Sequence, residues 1–456
     1  MADDISIDAP IDLDDLSPVL KTLLSKAKAC GAEQCDAIVT HGRSLSITVR
    51  GGELEDVDNS EGRDIGLRVM IGNRQACVSS SDLSETSMDI LAQRAVAMAK
   101  LAPEDPYCGL APKGLLAKDR QNLELFDAHI MTPESLKARA LDVERAANSV
   151  KGVLQSEGAN ASWATSGIYF MTSDGFADGW RSSRHGISVS AIAEKDGAME
   201  RDYDYDGTRW FSDLREPDAI GRLAGKRAIE RLNSQQLKSG AMPIVFDRRV
   251  SGSLVGAFLG AINGQAIARG MSFLKDKMDT QLFSGAINII DDPLMKRGHG
   301  SRPWDGEGIG VQARHLIENG VLKSWLLNTS AAKQLGLETT GHGSRGIGSP
   351  PSVSSTNTFI PAGSQTPEAL IAEMGNGMVI TEMFGPSLNS NTGDYSVGVA
   401  GYCVENGKRT FPVSEVTIAG NLLEVFPTLT VANDLVFDGS TVAPTLRVEG
   451  LTLAGL

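Results

Sequence analysis

Five cysteines stand in 456 residues, at positions 30, 35, 77, 108 and 403, and no two have C-x-x-C spacing. The odd number and the missing pair leave neither a disulfide framework nor a Cys-rich zinc module. The six histidines, His41, His129, His185, His299, His315 and His342, never come within five residues of one another. No helix can therefore offer two imidazoles one turn apart to a single ion. Aromatic residues make up only 5% of the chain, and no basic run interrupts a net charge of −14. Without clustered Lys and Arg, binding to a nucleic-acid backbone is excluded, and the acidity reads as solubility. No apolar run reaches the roughly 18–20 residues that span a bilayer. The start, MADDISIDAPIDLDD, lacks the basic-then-apolar order of a signal peptide. The expected compartment is the cytoplasm, with no membrane partner. G-x-S-x-G and G-x-x-x-x-G-K-[ST] are absent too, so no nucleophile elbow and no phosphate loop of those kinds is indicated.

What is present is ordinary globular material, 41% hydrophobic and 22% charged, with 49 glycines that favour turns and hairpins. The length exceeds a typical single core and predicts two or three domains. The expected fold class is α+β, with antiparallel sheets, flanking helices and a large strand-rich C-terminal domain. Residues 1–114 read as helix, hairpins, helix. Ser17-Pro18 suggests an N-cap, and Leu20, Leu23, Leu24 and Ala27 repeat at helical spacing. The period then changes to two around turns at Gly51-Gly52 and Gly72-Asn73, before a helix over 84–100. Residues 115–238 form a central α+β unit, from a Thr132-Pro133-Glu134 helix start to a helix over 217–232. Residues 239–456 begin with the buried strand PIVFD and one small-residue helix, SGSLVGAFLGAINGQAIARG, over 251–270. Strands and glycine loops follow, with one further helix over 366–374.

Three stretches invite chemistry. In RDYDYDGTRW, alternation puts Asp202, Asp204 and Asp206 on one strand face and aromatics on the other, which reads as a solvated face. Cys403 alternates with Val399 and Tyr402 and reads as a packed strand cysteine. GHGSR occurs twice, at 298–302 and 341–345. His299 and His342 are the one pair to consider for a metal, and Arg302 or Arg345 could hold an anion. The plainer expectation is two flexible glycine loops with solvated histidines.

Four C-terminal segments resemble the TldD/PmbA family, long labelled modulators of DNA gyrase and associated with proteolysis. They are DGEGIGVQARHLIENGVLKSWLLNTSAAKQLG (305–336), STNTFIPAG (355–363), NTGDYSVGVAGYCVENGK (391–408) and VSEVTIAGNLLEVF (413–426). GELEDVDNSEGRDIGLRVMIGNRQACVSSSDLS (52–84) is similar to the family's N-terminal hairpin region. TldD-like members carry H-E-x-x-x-H on a helix and a late cysteine ligand; PmbA (TldE)-like members lack both. Counting back without gaps from Arg269-Gly270-Met271-Ser272, the metal histidines would fall near Val255 and Gly260, and the glutamate near Gly256. No late Cys-Gly-Lys segment occurs in NDLVFDGSTVAPTLRVEGL (433–451).

The resemblance thus implies a PmbA/TldE-like chain with no catalytic or metal residues of its own. It implies a TldD-like zinc protease partner that holds the zinc in a heterodimer, and trimming of unfolded or extended peptides, microcin precursors and the antitoxin CcdA among them. Without its partner the chain could self-pair as a homodimer. Arg345, Asn357, Asn389, Asp394 and Tyr402, from the family-like segments, are the candidates for a peptide cavity, with turn formation the competing account of the Asn and Asp residues. Two alternatives stay open: a stand-alone peptide hydrolase using the GHGSR loops or Cys403, and a protein that binds gyrase or another regulator.

Overall fold

The computed structural model describes residues 11–456. Six long antiparallel strands form one twisted sheet: β1 (Gln34–Arg50), β2 (Glu53–Ile71), β3 (Arg74–Ser80), β4 (Val153–Thr172), β5 (Ala177–Lys195) and β6 (Ala198–Thr208). Their order is β3-β2-β1-β4-β5-β6. The Gly51-Gly52 turn between β1 and β2 has φ of 61° and 81°, which glycine adopts without a Cβ clash. Pairing of β1 with β4 runs from Asp36↔Thr172 to Val49↔Ala159, so segments 1–114 and 115–238 share this sheet.

Period-two burial explains how one strand serves two cores. Cys35, Ala37 and Val39 of β1 pack under α1 (Leu16–Ala29) and α2 (Glu85–Leu101). Leu45, Ile47 and Val49, with the same parity, pack under α3 (Pro133–Asn148) and α4 (Pro217–Glu230). Between them His41 and Arg43 share Glu61 at 2.7 and 3.0 Å. The even-numbered Asp36 and Ile38 face the other way, toward loops of the C-terminal segment.

The helix caps follow the sequence where a hydroxyl precedes the helix. Ser84, Thr132 and Thr366 accept from Ser87, Ser135 and Ala369. Ser17 does not: α1 begins at Leu16, and Asp15 takes the N-cap position without a side-chain bond. Leu16 N bonds Leu13 O, and its side chain enters the core, which starts the helix early.

The C-terminal segment holds an eight-stranded and a five-stranded sheet around the largest core. Ile244–Phe246 is fully buried between Gly377–Leu388, which it pairs in parallel, and Leu446–Val448. The small-residue stretch forms two helices rather than one, α5 (Arg248–Ala261) and α6 (Gly264–Ala268). Asn263 breaks it by accepting from Gln265 N and Ala266 N as a new cap. Gly264 is required there, because a Cβ would lie 2.5 Å from Leu326 O.

The solvated aspartate face is also corrected. Asp202 and Asp204 are 3% and 7% exposed, whereas Tyr205 on the opposite face is 51% exposed. Arg249 and Arg231 lie 2.9 and 3.8 Å from Asp202, and Arg215 and Arg227 lie 2.7 and 3.0 Å from Asp204. The alternation was read in the right phase. The arginines of α4, α5 and the Arg215 turn, distant in sequence, take the place of water.

Candidate functional site

Helix α5 is anchored before any function is asked of it. Asp247 caps it by accepting from Arg249 N, and Ser251 Oγ donates to Ala443 O at 2.9 Å. Leu254, Val255, Phe258 and Leu259 face the core, where the Phe258 ring meets Phe283 and Phe426 edge-on. At its far end Ser272 Oγ donates to Ala261 O at 2.5 Å and accepts from Leu274 N. This gives the Arg269-Gly270-Met271-Ser272 segment a physical task, closing the helix C-terminus.

The three motif-matching positions lie on this helix and do not fit zinc. Val255 is 2% exposed in an apolar core and has no donor atom. Gly256 and Gly260 are exposed, one turn apart, and a Cβ on either would meet nothing within 4 Å. Among the described residues no three His, Cys, Asp or Glu side chains converge as a metal site. The residues present supply neither an ion's ligands nor a proton-transferring carboxylate on this helix.

The twin GHGSR loops are ordered by hydrogen bonds, which corrects the expectation of flexible loops with solvated histidines. In the first, Asn357 Oδ1 accepts from Gly300 N at 2.7 Å, while its Nδ2 donates to Asp292 O and Ser301 Oγ. In the second, His342 is 3% exposed and bridges Thr340 Oγ1 at 2.7 Å and Asp291 Oδ2 at 3.1 Å. Asp291 also accepts from Thr356 N, Thr356 Oγ1 and Thr358 Oγ1. Burial alone would raise its pKa, but the bonds from His342, Thr356 and Thr358 outweigh that and hold it down to about 2. His299 lies elsewhere, beside Arg209, whose guanidinium donates to the Gly298 and His299 carbonyls. Burial, with Arg184 and Arg209 nearby, lowers the His299 pKa. The two histidines therefore have separate partners.

Both loops end in an arginine that reaches the sheet's even face. Arg345 Nε donates to Asp36 Oδ1, and Nη1 donates to Ser349 O. Arg68 holds the other Asp36 oxygen at 2.5 Å. Arg302 donates to Ser354 Oγ and Ser354 O. Between the loops Asp305 accepts from the backbone N–H groups of Glu307, Ile309 and Gly343. Glu307 Oε2 accepts from Thr329 N at 2.7 Å. Burial and then the Asp305 charge push Glu307 up to about 7.

The five cavity candidates scatter. Arg345 is buried in the second loop, and Asn357 is buried against the first. Asn389 and Asp394 sit together on an exposed turn, where Asn389 accepts from Asn391 N and Asp394 binds Thr392 and Asn421. Tyr402 lies in the strand Asp394–Glu405 under the Arg409 guanidinium, and burial pushes its hydroxyl up to about 12. Cys403 beside it is buried with a raised pKa, caused first by burial, so it is poorly disposed as a nucleophile. Sequence reasoning missed Asp36, Arg68, Asp291, Asp305 and Glu307. The repeated GHGSR was the one local signal pointing toward them.

The sheet that packs its helices on one face and its strand-rich companion define an α+β chain of antiparallel sheets with flanking helices. Residues 35–99, 127–232 and 239–455 match, in turn, domain 1, the central domain and the C-terminal domain of the PmbA/TldA metallopeptidase description. The chain belongs to the PmbA/TldD family. It is 35% identical to Metalloprotease PmbA of Escherichia coli O157:H7, over 94% of both chains. A Metalloprotease PmbA homolog of Haemophilus influenzae is 32% identical over 92% of both. Among solved structures, a Bacteroides thetaiotaomicron chain described as a candidate modulator of DNA gyrase superposes with a TM-score of 0.89 at 24% identity, covering 97% of this chain and 99% of the other. TldE of Thermococcus kodakarensis gives 0.84 at 20% identity, covering 96% and 100%. These two likenesses establish the fold. No helix among the described residues is long and apolar enough to cross a membrane.

Proposed function

We propose that this chain is the non-catalytic subunit of a two-chain zinc metalloprotease that trims unfolded or extended peptides. A TldD-like partner holds the zinc and the catalytic glutamate, and this chain completes the assembly. The observation that carries the reading is α5. Its motif-matching positions are a buried valine and two bare glycines, and without a metal no water is activated there at neutral pH. The metalloprotease names of the relatives support the activity class.

The test mixes the purified chain with the zinc-bearing relative from the same host and follows cleavage of an unfolded peptide. Cleavage by the pair, abolished by a chelator and absent with this chain alone, is expected. Chelator-sensitive cleavage by this chain alone would overturn the reading, as would a partner equally active without it.

A further inference from the structure

The repeated GHGSR motif has a three-dimensional counterpart. Its two arginines, Arg302 and Arg345, line one cavity of about 180 Å³ between the sheet and the C-terminal loops. The other walls are apolar and aromatic: Ile38 and Ile168, with Phe170, Trp180 and Trp304. Phe170 stacks against Trp304 with centroids 5.9 Å apart, and Trp304 is fixed through Nε1 to Asp178 at 3.0 Å.

The hydrogen-bond ledger of the two guanidiniums is incomplete. Arg345 Nη2 and Arg302 Nε are both shielded from water and have no hydrogen-bond partner among the described residues. The side chain of Arg345 is 1% exposed. Asp305 also lines the cavity and its charge acts on Arg302, but its oxygens accept from three backbone N–H groups and neither unpartnered guanidinium N–H donates to it. Buried guanidinium N–H groups without acceptors are costly, and a planar anion is their natural complement.

We propose that this cavity binds a carboxylate carried on an aromatic group of single-residue size. The arginines take the carboxylate and the tryptophan and phenylalanine walls take the ring. The same chemistry is offered by a free aromatic acid and by the last residue of a peptide ending in Phe. The site belongs to this chain alone and does not depend on a zinc-bearing partner.

The test titrates the full chain with phenylacetate and, separately, with phenylacetamide. Binding is followed by calorimetry and by tryptophan fluorescence, to which Trp180 and Trp304 contribute. Saturable binding of phenylacetate is expected, with the amide weaker by roughly tenfold or more. Arg302→Gln weakens phenylacetate by a similar factor, and Ile168→Phe, which fills the cavity, abolishes binding. A hexapeptide ending in Phe then separates the sources. Binding that needs its free carboxyl group assigns the site to peptide ends, and failure of the peptide where phenylacetate binds assigns it to a free acid. No saturable phenylacetate binding, equal binding of the amide, or binding that survives in folded Ile168→Phe overturns the proposal. Should Arg302→Gln not fold, the acid–amide comparison on the unchanged chain decides.

Discussion

Arg345 Nε lies 3.0 Å from Asp36 Oδ1, a contact that joins two residues 309 positions apart and ties the second GHGSR loop to the first strand of the sheet. Asp36 is completely buried and holds Arg68 on its other oxygen. Glycine makes the approach possible at Gly66, where a Cβ would lie 2.0 Å from Ile347 O. Asp36→Ala leaves two buried guanidiniums without their carboxylate. The expected loss is about 3–5 kcal/mol in urea unfolding. A loss below about 1 kcal/mol would mean that water or another carboxylate replaces Asp36.

Glu307 gives the same region a pH dependence. Its folded pKa is raised to about 7, by burial and by Asp305. Between the ordinary carboxylate range and pH 7 the folded chain therefore holds a proton that the unfolded chain has released. Its contribution is full at acidic pH and is lost as pH rises through 7. Glu307→Gln keeps an oxygen for Thr329 N and removes the charge. The variant is expected to gain on the order of 1–3 kcal/mol over the parent at pH 8, and little or nothing at pH 4.5. Melting curves at both pH values check it, and an equal gain at the two would remove the titration from the account.

How much of this was legible in the sequence depended on whether the partners were local. The turns at Gly51-Gly52 and Gly72-Asn73, the Thr132 and Thr366 caps and the alternation of Leu45, Ile47 and Val49 were readable because each signal lies within a few residues. The helix break was missed because Asn263 looks like any polar residue until Leu326 is seen pairing beside it. The phase of Asp202 and Asp204 was readable and their burial was not, since Arg215, Arg227, Arg231 and Arg249 arrive from later segments. The GHGSR echo was visible as letters. That its two arginines line one cavity is a property of the closed fold.

The contrast between Asp202 and Asp394 separates buried from solvated carboxylates. Asp202→Ala takes from the buried Arg249 its 2.9 Å carboxylate partner and from Arg231 a charge 3.8 Å away, although Arg231 keeps its bond to Glu382. The expected cost is about 3–5 kcal/mol. Asp394 sits on an exposed turn and its bonds are to Thr392 and Asn421. Asp394→Ala should leave the melting temperature nearly unchanged, so any loss of peptide processing by the assembled pair would report contact with substrate or partner. Equal destabilisation by the two substitutions would contradict the burial pattern.

The bare face of α5 can be given metal donors. Gly256 and Gly260 are exposed, one helical turn apart, with open space at each Cβ position. Replacing each with alanine should stabilise the isolated chain by about 0.5–1 kcal/mol, because glycine is the weaker helix former. Gly256→His with Gly260→His places two imidazoles on one helical face, the spacing that binds zinc or nickel. The double variant is expected to bind nickel with a 1:1 stoichiometry that the parent lacks, while remaining inactive on peptides. It still has no third ligand and no glutamate base: Gly256, the position that matches the glutamate, now carries a histidine, and Val255, which matches the first motif histidine, stays in the core. Equilibrium dialysis and a peptide assay with the chain alone read the two halves. Nickel bound without turnover would show that two donors on an open helix face suffice for a metal and not for catalysis. Turnover would mean that the rest of this fold still carries the remaining catalytic groups, and the non-catalytic reading would fall.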